Sequence, residues 1–326
     1  MRVRGIWLFT AIVTVAVCVE CSSPSAPTSN PPPVVRVADP PTISCPNSIT
    51  VTAPFSGQAF VKYDGLVANG GENPVTLSCS PEADTAFPVG TTTVQCSATD
   101  AMKRTATCSF AVTVAAAPRL SRTRILAFGD SITAGDVVVP GTDNVLLAPT
   151  PANYPAVLSQ LLRERYGDQP QVFPAGLSGE HAFGSNTLPR FTYASRLNNA
   201  DVAIILEGFN DVLYAPDPAK GITEAEFGVG VLAADARGRG ERVFIALLTP
   251  TKPGRRQIPL ATVQATNDRL RAVARGEGGT VIDTFTPLLA DLNGNIGPDG
   301  LHLTEAGYRK LAETIFAAIR DNLEVR

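Results

Sequence analysis

At 326 residues the chain is long enough for two domains. Its 44% hydrophobic and 17% charged residues exclude an intrinsically disordered protein. A net charge of −3 gives no basis for binding nucleic acid, and no such partner is expected.

Residues 1–21 have the pattern of an export signal. Arg2 and Arg4 supply the positive start, and Gly5 to Val19 is an uncharged apolar run, short for a bilayer span. A short membrane anchor is the alternative. Cys21 and the following Ser22-Ser23-Pro24-Ser25 are similar to the start of a mature bacterial lipoprotein, although Glu20 departs from the small residue expected there. The expectation is an exported protein, secreted, periplasmic or cell-surface, that meets a membrane only through its signal or a lipid on Cys21. Residues 22–33 are rich in Ser, Pro, Thr and Asn and form a linker.

Residues 34–116 alternate apolar and polar positions with the period of a strand. Cys108, Phe110, Val112 and Val114 share one face, as do Val94, Cys96 and Ala98, and Val75, Leu77 and Cys79. Turn signals at Asn69-Gly70-Gly71 and Pro88-Val89-Gly90 separate the segments, which predicts a small β-sandwich. Its four cysteines suit disulfides in an exported chain. Metal binding is disfavoured, because the region has no Cys-x-x-Cys spacing and no histidine. Three pairings are open. Joining the first and last strands favours Cys45–Cys108 with Cys79–Cys96.

Pro41-Thr42-Ile43-Ser44-Cys45-Pro46, Phe87-Pro88-Val89-Gly90-Thr91-Thr92-Thr93-Val94 and Cys96-Ser97-Ala98-Thr99-Asp100 resemble the hyalin-repeat (HYR) family of immunoglobulin-like modules. The resemblance implies adhesion or spacing outside the cell, with contact to a cell surface or polysaccharide. A short linker, 117–122, follows.

From residue 123 to the end, strands alternate with helices. Strands are predicted at Arg124–Phe128, Gln171–Phe173, Val202–Leu206, Arg242–Leu248 and from Thr280–Ile282 onward. Helices are predicted at Tyr154–Tyr166, Thr223–Ala236 and Leu260–Arg275, with a last one capped by Thr304 that buries Tyr308, Leu311, Ile315 and Ile319. This alternation gives an α/β three-layer sandwich with a parallel sheet. The blocks that follow the strands carry chemistry. Gly129-Asp130-Ser131 ends the first, Gly176-Leu177-Ser178-Gly179 follows the second, Gly208-Phe209-Asn210-Asp211 the third, and Asp299-Gly300-Leu301-His302 the fifth. Each alone reads as a turn. The α/β-hydrolase elbow is excluded, since no Gly-x-Ser-x-Gly is centred on Ser131. A serine near the start and Asp-x-x-His near the end suggest a Ser/His/Asp hydrolase.

Together the four blocks resemble the SGNH (GDSL-type) hydrolase family of esterases and lipases. The resemblance implies a flavodoxin-like fold and gives each residue a role. Ser131 is the nucleophile, His302 the general base, and Asp299 its orienting carboxylate. The Ser131 and Gly179 N–H groups and the Asn210 amide form the oxyanion hole. No cofactor and no metal is expected. The substrate is a small or glycan-linked ester, with short acyl groups favoured because no lid-sized insertion is present. A carbohydrate acetylesterase targeted by the HYR domain and an inactive binding protein are the alternatives. His181 lines the pocket or lies exposed, and Ser178 is a rival nucleophile only if Ser131 is not one. Apolar residues at Val137–Pro140 and Leu146–Pro151 flank an acyl pocket or belong to core or lid.

Overall fold

The computed structural model describes residues 36–54 and 57–325. The signal at 1–21, Cys18, Cys21 and the linker at 22–33 lie outside the described residues. Among the described residues no helix is long and apolar enough to cross a membrane.

The N-terminal domain is all strands. Ile49–Thr52, Thr105–Ala115, Gly90–Thr99 and Thr76–Ser80 form a four-stranded sheet in that order. Gln58–Val61 pairs with Thr85–Pro88, and Thr42–Ser44 with Val67–Asn69. Alternation builds the core: Phe110, Val112 and Val114 from one strand and Val94 and Cys96 from the next meet Val61 and Phe87. Leu77 is the exception, 43% exposed, because Thr76–Ser80 is the edge strand of its sheet. Disulfides join Cys45 to Cys108 and Cys79 to Cys96, the latter between residues directly opposite in register.

The linker differs from a free spacer in its second half. Arg119–Leu120 is a short strand paired antiparallel with Glu324–Val325. Ser121 Oγ donates to the Leu323 carbonyl at 3.0 Å, and Leu120 is buried in the core of the large domain. The second domain is therefore tied closed at its own two ends.

That domain is a five-stranded parallel sheet. Its strands in chain order are Arg124–Gly129, Gln171–Gly176, Val202–Leu206, Arg242–Ala246 and Thr280–Ile282. Across the sheet they run second, first, third, fourth, fifth, all parallel. Val202–Leu206 is apolar throughout and fully buried, as a strand covered on both faces must be. The helices pack in two groups. Tyr154–Tyr166 packs on Glu305–Leu323, and Pro218–Gly238 packs on Leu260–Gly276 and Thr187–Asn198. The strand order reverses between the first and third strands, and in open α/β sheets the carboxyl ends at such a reversal are where ligands bind.

Candidate active site

Ser131 and Asn210 come from that reversal, and Gly179 from the loop after the neighbouring second strand. Ser131 opens a single helical turn, Ser131–Ala134, right after the first strand. Asp130 caps the turn, its Oδ1 accepting from the Ile132 N–H at 2.9 Å. The turn rests against the end of the second strand, where a Cβ at Gly176 would lie 2.1 Å from the Ala134 nitrogen. Only glycine permits that approach. Gly179 has φ +81°, a backbone conformation that side chains disfavour, and this shapes the loop carrying its N–H.

His302 joins from the far end of the chain. Its Nε2 lies 2.8 Å from Ser131 Oγ, and its Nδ1 lies 2.6 Å from Asp299 Oδ2. Asp299 Oδ1 accepts from the Leu301 and His302 N–H groups at 3.1 and 3.0 Å. Burial alone would raise the Asp299 carboxyl, but the His302 ring and these two N–H groups hold it below the usual carboxylate range. Asp299 does not cap the last helix. Thr304 does, accepting from the Gly307 N–H at 3.1 Å.

The Asn210 amide donates one hydrogen bond, 2.7 Å, to the Glu180 carbonyl. A carboxamide has two N–H donors, so the second is left for the cavity that Asn210 lines. Asp211 accepts from the Ala182 and Phe183 N–H groups at 2.7 and 3.0 Å and so holds the loop after Gly179. Arg190 grips the loop from the other side. It forms an ion pair with Glu180, donates to the Ala175 and Gly129 carbonyls at 2.9 and 3.4 Å, and stacks on Phe128 at 4.0 Å. Sequence reasoning missed Asp211 and Arg190 as positioning residues, because their partners lie on other loops.

Ser131, His302, Asn210 and Gly179 line one cavity of about 240 Å3, with Leu147, Leu213, Tyr214 and Arg256 among its other walls. Leu147 belongs to a ribbon, Asp136–Val138 paired with Leu147–Pro149, and of the apolar segments after Ser131 it alone lines this cavity, while Val137 packs against the core. Ser178 also lines it, but its hydroxyl donates to Asp136 Oδ2 at 2.6 Å. His181 is half-buried outside the cavity lining, its ring 6.0 Å from that of Tyr214. Among the described residues no group of three or more His, Cys, Asp or Glu side chains is placed to hold a metal ion.

Beneath the site lie carboxyls that nothing neutralises. Burial pushes Asp130 up to about 7, aided by the charges of Asp211, Glu180 and Asp136 and opposed by the Ile132 N–H. Among the described residues its Oδ2 has no hydrogen-bond partner. Burial, with the charges of Asp130 and Glu180, raises Glu207 well above its ordinary value. An acid raised on folding favours the folded state at low pH and loses that advantage as pH climbs through its folded value. For Asp130 the loss runs from about pH 4 to about pH 7. Asp130→Asn should therefore flatten the decline in unfolding free energy, measured by urea titration, between about pH 4 and pH 7. An unchanged decline would show that Asp130 ionises as freely folded as unfolded.

A five-stranded doubly wound sheet with a serine, histidine and aspartate in series at its carboxyl edge defines a hydrolase class in which an activated serine attacks an acyl group. Comparison with known families agrees. The GDSL-like Lipase/Acylhydrolase family matches residues 127–310, more than half of the chain, and the HYR domain matches residues 38–114. The chain belongs to the GDSL-like lipase/acylhydrolase family and is an SGNH serine hydrolase preceded by a HYR domain. Among solved structures it is similar to a lipase/acylhydrolase from Enterococcus faecalis, with TM-score 0.50 and 21% identity over 62% of this chain and 97% of that one. It is also similar to a carbohydrate acetylesterase from Sinorhizobium meliloti, with TM-score 0.50 and 18% identity over 61% and 99%. At such identities the likeness is one of fold. No curated protein matches the chain.

Proposed function

We propose that the protein is an exported serine esterase that cleaves short-chain carboxylic esters through an acyl-enzyme. The observation that carries this reading is the series Asp299 Oδ2 to His302 Nδ1 at 2.6 Å and His302 Nε2 to Ser131 Oγ at 2.8 Å. In this mechanism His302 takes the Ser131 proton as Oγ attacks the acyl carbon. Asp299 fixes the tautomer and stabilises the imidazolium. The Gly179 and Ser131 N–H groups and the free Asn210 N–H receive the developing oxyanion, the term that lowers the barrier most. His302 then protonates the leaving alcohol and activates water for the second half. The small cavity supports short acyl groups. Export is supported by the two disulfides, which persist in oxidising compartments. For the HYR domain we propose contact with a cell surface or polysaccharide.

A second reading, an acetylesterase acting on a glycan, is favoured by Tyr214. It lines the cavity yet is 62% exposed, an aromatic face at the mouth against which a sugar ring can stack. Nitrophenyl acetate, butyrate and octanoate assayed beside an acetylated xylo-oligosaccharide separate the two. The first reading expects kcat/KM to fall along the acyl series, and the second expects the glycan to exceed all three. Failure to hydrolyse any of the four would sink both.

A further inference from the structure

Arg256 stands in the wall of the cavity beside Ser131 and His302, and no step of the proposed chemistry uses it. Its loop is fastened to the segment that carries the triad acid. The Arg256 N–H donates to the Asp299 carbonyl at 2.7 Å, and the Lys252 N–H donates to the Gly300 carbonyl at 2.9 Å. The fit is close enough that a Cβ on Gly254 would lie 2.4 Å from the Asp299 carbonyl. The backbone that carries Arg256 is thus held at a set place relative to the reacting serine.

Its side chain is only 23% exposed, yet it makes no hydrogen bond among the described residues. The acid paired with it is Asp299, with Nε 3.6 Å from Oδ2. That oxygen already accepts from His302 at 2.6 Å, and the other accepts two backbone N–H groups. Nε itself is buried with no acceptor. A guanidinium carries five N–H donors in a planar fork that matches a carboxylate. The buried Nε is costly to leave unmatched unless a ligand completes it, and the two terminal nitrogens, absent from the buried unpartnered atoms, complete the fork such a ligand would meet. The opposite charge in the same wall, Asp136, is 5% exposed and holds the Ser178 hydroxyl, so it does not complete the fork.

We propose that Arg256 is an anion-binding subsite that selects esters bearing a carboxylate, or a group of like charge and shape, close to the scissile bond. The inference rests on the esterase reading and narrows its substrate class. The anion belongs either to the acyl group or to the alcohol, and the test has an arm for each.

For the acyl side, kcat/KM is compared between 4-nitrophenyl hydrogen succinate, above its spontaneous rate, and neutral 4-nitrophenyl butyrate. For the alcohol side, 4-acetoxybenzoate is compared with its methyl ester. The full-length enzyme should prefer the charged member of at least one pair by about 10–100-fold, the scale of one charge-assisted fork. The preferred pair names the side. Arg256→Gln should bring that ratio close to one, while Arg256→Lys, which keeps the charge without the fork, should retain part of it. Labelling of each variant by a fluorophosphonate confirms an assembled site. The subsite is overturned if the wild type prefers neither charged ester, or if the preference survives in Arg256→Gln. It is equally overturned if Arg256→Gln slows both members of a pair alike, since that is the mark of a prop for Asp299. A wild type inert toward all four esters overturns the esterase reading itself, an outcome distinct from hydrolysis without charge preference.

Discussion

Ser131→Ala should lower ester hydrolysis by about four to six orders of magnitude, leaving only what binding and the oxyanion donors supply. The size of the loss follows from how completely Ser131 is committed. Its Oγ contacts His302 Nε2 at 2.8 Å, and His302 is in turn held by Asp299. No neighbouring hydroxyl can take over. Ser178 shares the cavity, but its hydroxyl donates to Asp136 while His302 is engaged with Ser131. A fluorophosphonate should accordingly label the wild type at Ser131 and leave Ser131→Ala unlabelled. Turnover of 4-nitrophenyl acetate within about a hundredfold of the wild-type rate, or labelling that persists at Ser178, would remove Ser131 from its role.

Asn210→Ala should lower kcat by about 10²–10³ while KM moves little, because the lost donor acts on charge that develops only at the transition state. One complication has to be weighed. Asn210 also ties the Glu180 carbonyl, so the substitution frees one fastening of the loop that carries Gly179. Two fastenings remain. Arg190 still pairs with Glu180, and Asp211 still accepts the Ala182 and Phe183 N–H groups. The loop should stay in place, and the loss should remain that of one donor. Single-turnover and steady-state rates on one ester check this. A raised KM with unchanged kcat would mean that the amide binds the ground state instead.

The parts of the molecule legible in the sequence are those whose cause is local. Tyr154–Tyr166 and Val202–Leu206 have the predicted ends, because helical leucine spacing and an unbroken apolar run each admit one structure. The helix predicted at Thr223–Ala236 in fact spans Pro218–Gly238. Its start was signalled by Asp217, which caps it, and by Pro218 in the first turn. Thr187–Asn198 escaped notice because its buried face is Thr187, Phe191 and Ser195, mostly polar and lacking an apolar period. The fourth strand stops at Ala246, two residues before its predicted end, where the chain turns to the loop bearing Arg256. Between the fifth strand and Asp299 lie two short helices, Phe285–Leu289 and Leu292–Asn295, so the last block reaches the sheet edge from the side.

The four blocks of the site were legible because each packs its chemistry into three or four adjacent residues. Arg190 and Asp211 were not, since each holds a loop distant in sequence. The strand at Arg119–Leu120 was read as linker for the same reason: its partner lies some 200 residues further on.

That small strand has a consequence for orientation. Arg119–Leu120 sits just ahead of Arg124, the amino end of the first strand, whereas Ser131 stands past its carboxyl end. Six residues of extended chain separate the two ends by about 20 Å. The HYR domain is therefore joined to the rear edge of the sheet, and the clasp with Glu324–Val325 keeps that joint from fraying forward. The point of attachment and the nucleophile therefore stand at opposite ends of one strand, so the chain ahead of the hydrolase domain enters at the end away from its catalytic serine.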